Sequence, residues 1–221
     1  MDQRLYEHQL FRQVRAGNMA ALETLLALLE PPIRRFIRRL IGKHDAEDDI
    51  VQMVFIALYR HRDRIEPVEN LRPYVFRMVR NRCYNELRRQ GRYREMSLDD
   101  EPVEWRVSFT AADEQPAGTE EVAHWLLLQL EVQEAMDRLP ELQRQALILY
   151  AEEGMSYAEI AEVMGTGVGT IKSRLFHAKR TLRRLLRPET LTALEEEFDR
   201  APASSNTNGD AALPQMYQER R

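Results

Sequence analysis

Apolar residues recur every three or four positions over most of this sequence, which is the spacing expected of helices that bury one face. The clearest stretch runs from Leu22 to Leu40, and Gly42 after it predicts a helix end. Pro31-Pro32 within this stretch predict a new turn or a kink. No window alternates between apolar and polar residues strongly enough to predict a strand. The pattern therefore predicts an all-α protein.

Two more helices extend this pattern in the first part of the chain. Asp45 precedes a helix whose apolar side runs from Ile50 to Leu58. The next helix is predicted to be capped by Asn70, and Pro73 fits its first turn, where the missing N–H has no helical partner. Residues 3–90 are thus predicted to be helical almost throughout.

A capping box and a glycine turn stand out later in the chain. Ser156 and Glu159 have the spacing of a capping box that opens a short helix. Gly165 is predicted to end that helix in a left-handed turn, and a second helix is predicted to begin near Gly169 or Thr170. A short helix, a glycine turn and a basic amphipathic helix form a helix-turn-helix, whose second helix can enter the major groove of DNA.

The second helix of this pair has the composition of a DNA-contacting helix, since no acidic residue lies between Glu162 and Glu189. Residues near its start are placed to reach base edges, and the other basic residues are placed to meet phosphates. The first group comprises Thr170, Ser173 and Arg174, and the second comprises Lys172, Lys179, Arg180, Arg183 and Arg184, with His177 on the same side. The alternative interpretation is a helical hairpin with a solvated basic face.

The periodicity is interrupted between these two regions. Residues 93–121 are acidic, hold Pro102 and Pro116, and show no sustained period, which predicts a partly disordered linker. A short acidic helix is predicted from Leu191 to Phe198, followed by a disordered tail. The predicted organisation is a first helical domain over 1–94, an acidic linker over 95–121, a second, helix-turn-helix domain over 122–187 and a largely disordered C-terminal extension over 188–221.

The distribution of charge is more informative than the net charge of −4. The net charge is +6 over residues 1–92, −7 over 93–125, +1 over 126–187 and −4 over 188–221. Such alternation of basic and acidic blocks indicates nucleic-acid contact by parts of the chain. The length of 221 residues allows one large domain or two small ones.

Membrane and secreted proteins do not fit this composition. No run approaches the ~20 consecutive apolar residues of a membrane span, and the N-terminus lacks the basic-then-apolar pattern of a signal peptide. The single cysteine, Cys83, excludes an intrachain disulfide and lies on the apolar side of its helix, where we expect it to pack. We therefore expect a soluble, cytoplasmic protein without membrane insertion.

Arginines dominate the helix predicted after Asn70. Eight of them lie between Leu71 and Arg94, and Tyr74, Tyr84 and Tyr93 are interleaved with them. This composition suits single-stranded DNA, because unstacked bases stack on tyrosine rings and guanidinium planes. A polar stripe along the helix comprises Tyr74, Arg77, Asn81, Asn85 and Arg88. The alternative is a basic surface helix whose tyrosines complete the core.

Four carboxylates lie within five residues at Asp45, Glu47, Asp48 and Asp49. Such a cluster suggests metal-dependent hydrolysis, but successive residues on a helix are about 100° apart, so these side chains splay. Helix N-termini favour acids, which accounts for part of the cluster, and a protein-binding edge is the better functional interpretation. The five histidines show no metal-ligand spacing and no nucleophile–base arrangement is evident, so we expect neither an active site nor a cofactor.

Four motifs together resemble those of the bacterial sigma factors, specifically the extracytoplasmic-function (ECF) group with two folded domains. Residues 45–55 resemble the Asp-Ala-Glu-Asp…Gln…Phe signature of the family, and residues 71–81 resemble its promoter-melting helix. The segments 139–144, 154–161 and 169–175 follow the pattern of the family's second domain. The resemblance covers residues 5–187.

The resemblance implies roles that composition alone does not. The residues at or behind the surface that docks on the β′ clamp helices of core RNA polymerase would be Asp45, Asp48, Asp49, Gln52 and Phe55. Those near the −10 element would be Tyr74, Arg77, Arg80, Asn81, Asn85, Arg88 and Arg89. Those at the −35 element would be Thr170, Lys172, Ser173, Arg174, His177, Lys179, Arg180 and Arg184.

Partners also follow from the resemblance: core polymerase through its β′ clamp helices and β flap, promoter DNA as duplex and as single strand, and an anti-sigma factor. Catalysis belongs to core polymerase, so the chain would be a specificity subunit and not an enzyme. A stand-alone helix-turn-helix regulator is the alternative, and it predicts tight duplex binding by the free protein. A metal-dependent nuclease is the third class, and it predicts magnesium-dependent cleavage.

Overall fold

The computed structural model describes residues 3–42, 44–91 and 119–192, and for 119–126 it describes the backbone alone. Most of this part of the chain is helical, which confirms the all-α prediction. The helices are α1 (Gln3–Arg15), α2 (Met19–Ile41), α3 (Glu47–His61), α4 (Leu71–Arg89), α5 (Thr119–Asp137), α6 (Glu141–Ala151), α7 (Tyr157–Met164) and α8 (Val168–Leu185). The predicted linker lies almost wholly outside the described residues, as does most of the C-terminal extension.

Helices α1 to α4 form a first helical unit around a dense apolar core. The side chains of Phe11, Phe36 and Phe76 are fully buried. The rings of Phe36 and Phe76 lie 5.3 Å apart at an interplanar angle of 59°, a tilted arrangement of the kind that aromatic pairs favour. Cys83 is buried in the same core, and burial raises the pKa of its thiol to about 12. The prediction that Cys83 packs is confirmed.

Helix α2 continues through Pro31 and Pro32, so the predicted new turn does not occur. Leu29 before the prolines and Ile33 after them are both fully buried. Packing of this apolar face outweighs the two backbone hydrogen bonds that the prolines remove. Gly42 ends the helix as predicted, with a positive φ of 75° that favours glycine.

The start of α4 differs in detail from the prediction. Asn70 occupies the N-cap position, but its side chain makes no capping hydrogen bond. Its Nδ2 instead donates to the carbonyl oxygen of Glu66 at 3.1 Å. Pro73 lies in the first turn as predicted, where the lack of an N–H costs no helical hydrogen bond.

Helices α5 to α8 form a second helical unit. Helix α8 packs across α6 and α7, and the core between them holds Leu139, Ile148, Ile160 and Ile171, each at most 1% exposed. The two units also touch, because α4 of the first packs against α7 of the second. Within the described ranges no helix is long and apolar enough to cross a membrane.

Glu131 of α5 fixes the first residues of the C-terminal extension. Its carboxylate accepts hydrogen bonds from the Arg187 backbone N–H at 2.7 Å, from Arg187 Nε at 2.9 Å and from Thr190 Oγ1 at 2.7 Å. These bonds, with that of the Arg187 side chain the strongest, lower the pKa of Glu131 to about 2. Thr190 is itself only 1% exposed. The extension therefore leaves the second unit from a fixed point on α5.

Glu47 holds the start of α3 on α2. It is only 8% exposed, and it accepts hydrogen bonds from Arg34 Nη1 at 3.0 Å and from Arg38 Nε at 2.9 Å. Burial acts to raise the pKa of Glu47, but the guanidinium groups of Arg38 and Arg34 outweigh burial and the pKa is lowered. The stability contributed by this carboxylate is therefore present above the ordinary glutamate pKa and is lost as the pH falls.

We expect Glu47→Gln to lower the free energy of unfolding by about 2 kcal/mol, because it removes a charge from a buried pair while leaving the arginines in place. The matched control is Asp48→Asn, whose side chain is 82% exposed and whose neutralisation should cost less than ~1 kcal/mol. Urea unfolding followed by circular dichroism measures both. Equal losses in the two variants would contradict a structural role specific to Glu47.

Candidate nucleic-acid and partner interfaces

The acidic cluster at the start of α3 splays, as the helical geometry predicts. Glu47 faces inward, whereas Asp45, Asp48 and Asp49 are exposed. Asp48 accepts a hydrogen bond from Arg34 Nη1 at 2.7 Å. In the part of the chain that the structure describes, no group of three or more His, Cys, Asp or Glu side chains is arranged to hold a metal ion. The three exposed carboxylates thus form an acidic edge at the start of α3.

An apolar stripe continues this acidic edge along α3. Asp49 and Gln52 are exposed, and Met53, Ile56 and Tyr59 beside them are 38%, 45% and 37% exposed. Phe55 is partly buried against the core. The three apolar residues were not predicted as site residues, although their spacing from Asp49 places them opposite the buried face of the helix. An exposed face that is acidic at one end and apolar at the other is typical of a protein-docking surface.

The start of α3 and the end of α4 border one cleft of about 540 Å³. Asp45 just before α3 and Asp49 within it line one side of the cleft, and Arg89 of α4 and Gln90 just after it line the other. The Arg89 guanidinium pairs with Glu86 at 2.8 Å, and this pair, with a smaller contribution from Asp49, raises the pKa of Arg89. The residues predicted for docking and those predicted for the −10 element are therefore neighbours here.

Helix α4 presents the predicted polar stripe to solvent. Arg77, Asn81, Asn85 and Arg88 are all exposed along one side. Tyr74 at the beginning of the stripe is partly buried, and its hydroxyl lies 2.7 Å from Nδ1 of His61. The stripe thus offers amides and guanidinium groups on one accessible surface, which is what contact with unstacked bases and phosphates requires.

Two other residues of the basic helix, Arg72 and Tyr84, point away from that surface. Arg72 is 8% exposed and forms a bidentate pair with Glu7, with distances of 2.7 Å and 2.8 Å. Tyr84 is 7% exposed, and its hydroxyl accepts a hydrogen bond from Gln145 Nε2 at 2.5 Å. Arg80 lies with its guanidinium 4.6 Å from the Tyr84 ring centroid. The prediction that these arginines and tyrosines form one nucleic-acid surface is wrong for Arg72 and Tyr84, because both side chains are buried in contacts with other helices. Tyr93 lies outside the described residues.

Helices α7 and α8 confirm the predicted helix-turn-helix. Ser156 Oγ accepts from the Glu159 N–H at 3.3 Å, and Glu159 Oε2 accepts from the Ser156 N–H at 2.7 Å, which completes the capping box. Gly165 ends α7 with a φ of 63°. Helix α8 begins at Val168, slightly before the predicted start, with Gly167 at its N-cap position and no side-chain cap.

The outward face of α8 is basic, with one large apolar side chain within it. Lys172, Ser173, His177, Arg180 and Arg184 are exposed, as predicted. Phe176 is 55% exposed and packs edge-on against His177 at a centroid distance of 5.5 Å. Sequence reasoning missed Phe176, although its position about 140° from Ile171 on a helical wheel already separates it from the buried side.

Three of the predicted duplex-reading residues lie at the edges of this face. Thr170, Arg174 and Lys179 are partly buried. Lys179 Nζ lies 4.7 Å from the Tyr150 ring centroid. Burial, and to a lesser degree the charge of Arg80, lower the pKa of Arg174. Arg174 therefore lies where the second helical unit meets α4 of the first.

Comparisons with known proteins identify both helical units. The sequence matches the family models described as "Sigma-70 region 2" over residues 25–93 and "Sigma-70, region 4" over residues 129–182. It is 34% identical over 159 residues to the ECF RNA polymerase sigma factor EcfG of Rhodopseudomonas palustris, an alignment covering 71% of this chain and 80% of the relative. The chain belongs to the ECF RNA polymerase sigma factors. It is an alternative sigma factor, a transcription initiation factor for RNA polymerase.

Further relatives agree with this membership. The ECF RNA polymerase sigma-E factor of Escherichia coli K12 is 29% identical over 194 residues, covering 85% of this chain and 98% of the relative. Among solved structures, the sigma factor RpoE in complex with the anti-sigma factor NepR from Bartonella quintana is similar at a TM-score of 0.54 and 27% identity, over 74% of this chain and 94% of that one. CnrH in complex with the cytosolic domain of CnrY shares the fold at a TM-score of 0.54 and 22% identity, over 87% and 98%.

The outward face of α8 leads to a prediction that needs no known promoter. Binding to a non-specific duplex should weaken with salt. We expect exposed Arg184 to contact one phosphate, so Arg184→Gln should reduce the slope of log affinity against log salt by about 0.9. Phe176→Ala is the matched control on the same face and should leave the slope unchanged. Fluorescence anisotropy over a salt series measures both. An unchanged slope in Arg184→Gln would contradict a phosphate contact by this side chain.

Proposed function

We propose that the α3 face formed by the acidic edge and the apolar stripe docks on the β′ clamp helices of core RNA polymerase. The observation that carries this proposal is the exposure of Met53, Ile56 and Tyr59 beside the acidic residues. Apolar side chains supply the buried centre of a protein interface, and charges at its rim steer association. The proposed contact residues are Asp45, Asp48, Asp49 and Gln52, with Phe55 supporting the surface from behind.

The exposed stripe of α4 is proposed to engage the −10 element. Asn81 and Asn85 are accessible for hydrogen bonds to a base that has left the stack, and Arg77 and Arg88 lie on the same side for phosphates. Arg80 and Arg89 flank this stripe. The hydroxyl of Tyr74 is held by its hydrogen bond to His61. The Tyr74 ring is the proposed stacking partner for an unpaired base at the N-terminal end of the stripe.

The outward face of α8 is proposed to read the −35 element in the major groove. Ser173 and Arg174 lie in its first two turns, where base edges are reached in helix-turn-helix complexes. Phe176 is added to this surface as an apolar contact for a thymine methyl group. Thr170, Lys172, His177, Lys179, Arg180 and Arg184 complete the proposed set.

We extend the proposal to the organisation and partners of the whole chain. The first domain spans 1–94, the linker 95–121, the second domain 122–187 and the extension 188–221. The second domain contacts the polymerase β flap, and an anti-sigma factor binds the chain, as the complex of RpoE with NepR suggests for a similar sigma factor. Catalysis belongs to core polymerase, so the chain itself is not an enzyme, and it acts where polymerase acts, in the cytoplasm.

Docking on polymerase is tested by size-exclusion chromatography with bacterial core RNA polymerase. The wild-type chain should co-elute, and an Asp48→Lys/Gln52→Ala variant should not, because a cation replaces the central carboxylate of the acidic edge and the amide of Gln52 is lost. The matched control is Glu23→Lys, which changes the charge of an exposed acid on α2 and should co-elute as the wild type does. Failure of the folded wild type to bind would instead favour the stand-alone helix-turn-helix regulator.

The division of labour between the two domains is tested by separating closed-complex binding from DNA opening. Arg174→Ala should weaken duplex recognition by ~1–3 kcal/mol at one base pair. Asn81→Ala should impair opening, measured by permanganate reactivity of unpaired thymines, while closed-complex binding stays unchanged. Failure of both variants at the same step would contradict the assignment of separate roles.

A further inference from the structure

The C-terminal extension begins as a helix. Residues 188–192 are helical, with Pro188 in the first turn, where its missing N–H costs no helical hydrogen bond. Thr192 is the last residue that the structure describes, and its Oγ1 donates to the carbonyl oxygen of Pro188 at 3.1 Å. The sequence contains no further proline or glycine before Pro202, so it favours continuation of the helix past Thr192.

Glu131 of α5 fixes which side of this helix faces α5. Its Oε2 accepts hydrogen bonds from Thr190 Oγ1 at 2.7 Å and from Arg187 Nε at 2.9 Å. Thr190 is only 1% exposed, whereas Glu189 beside it is exposed. Residues that follow Thr190 at helical spacing are therefore turned toward α5 as well.

Large apolar residues occupy this side of the helix in the sequence. At about 100° per residue, three of them share with Thr190 an arc of about 100° on a helical wheel. They are Leu191, Leu194 and Phe198. The acidic residues outside this arc are Glu195, Glu196, Glu197 and Asp199. The segment thus has one apolar side, which begins at the contact with α5, and carries its acidic residues elsewhere, where solvent can reach them.

Helix α5 has an exposed apolar face beside Glu131. Leu127 and Leu130 are 59% and 52% exposed, and they are the exposed large apolar side chains among those described on α5. On a helical wheel both leucines share with Glu131 an arc of about 100°. The carboxylate that holds the extension and this apolar face therefore lie on the same side of α5.

The positions of the two apolar surfaces match along the helices. Leu127 lies about one turn, ~6 Å, before Glu131 on α5. Leu194 lies the same distance after Thr190. The contact at Thr190 therefore brings Leu194 level with Leu127 when the two helices run antiparallel. In the other direction along α5 the next exposed side chain is that of Glu134, which offers the acidic segment a like charge and no apolar surface.

We propose that residues 188–198 form one helix, the extension helix, whose apolar side docks on Leu127 and Leu130 of α5. The occupant of this exposed face is thus a segment of the same chain, and the second helical unit continues past residue 187. While the extension helix is docked, the face is closed to any other protein. The inference does not rest on the function proposed above.

Covalent attachment explains why so small a face has this occupant. A separate protein needs an interface of roughly 1,000 Å² or more to bind stably, and two exposed leucines supply only a small part of that. A segment already attached one turn away is present at a high effective concentration, so a few apolar contacts are enough to hold it. The contact with Glu131 provides that attachment.

The test measures how fast a cysteine on this face of α5 reacts with N-ethylmaleimide in the full-length chain. Leu127→Cys places the thiol on the proposed docking face. The matched control is Gln129→Cys, an exposed position about 160° around α5 from Leu127. Native Cys83 is buried with its pKa raised to about 12, so it reacts slowly in both variants. Mass spectrometry follows the labelling.

Leu127→Cys should react at least ~10-fold more slowly than Gln129→Cys, because the docked helix must open before the reagent enters. Adding Leu194→Asp to Leu127→Cys places a carboxylate in the apolar contact and should remove this protection. Thr192→Asp is the matched control for that change, because it adds the same charge at an exposed position of the helix and should leave the protection intact. Circular dichroism checks that each variant keeps its helical content.

Three results would overturn the proposal. The first is a Leu127→Cys thiol that reacts as fast as that of Gln129→Cys. The second is protection that survives Leu194→Asp or is lost equally in Thr192→Asp, since the apolar side of the extension helix would then not be its source. The third is protection that disappears when the protein is diluted, since the occupant would then be a second copy of the chain.

Discussion

The buried guanidinium group of Arg72 connects the interior of the first helical unit to the second. It is 8% exposed and forms a bidentate pair with Glu7, which is fully buried on α1. The same group reaches Glu153 of the second unit at 3.4 Å. Burial acts to lower the pKa of Arg72, but Glu7 outweighs it, so the charge is retained. Because a buried charge must stay paired, this arginine fixes α1, α4 and the α6–α7 turn in relation to one another.

The buried pairing of Arg72 occupies only one side of the basic helix α4. On helix α4, Arg72 and Tyr84 face other helices of the same chain. Arg77, Asn81 and Asn85 face solvent. Polar side chains occur in both the buried and the exposed set, and what distinguishes the two sets is their angle around the helix. The residues that hold the fold and the residues proposed to contact DNA thus lie on different sides of the helix, so a substitution on one side need not disturb the other.

Local chemistry made part of this structure predictable from sequence. The capping box of Ser156 and Glu159 and the left-handed turn at Gly165 depend on neighbours a few residues away, so both were predicted correctly. The role of Arg72 depends on Glu7 and Glu153, which are 65 and 81 residues distant, and no local pattern encodes such a contact. Asn70 was predicted to cap α4 from its residue type. In the folded chain its side chain instead donates a hydrogen bond to the carbonyl oxygen of Glu66.

The candidate surfaces, too, were predictable where they depend on local periodicity and not where they depend on contacts between distant residues. The exposed stripe of α4 and the basic face of α8 follow from helical periodicity, which is why they could be predicted. Phe176 was overlooked because only polar and basic residues of α8 were assigned to its outward face. Arg174 is partly covered by the first helical unit, whose position periodicity cannot specify. Arginines close to buried acids, such as Arg34 and Arg72, hold the fold, whereas Arg77 and Arg180 form no ion pair with any described residue. Pairing with a carboxylate neutralises much of an arginine's charge, so we expect arginines such as Arg77 and Arg180 to attract phosphate most strongly. Only the tertiary structure distinguishes them from the arginines that hold the fold.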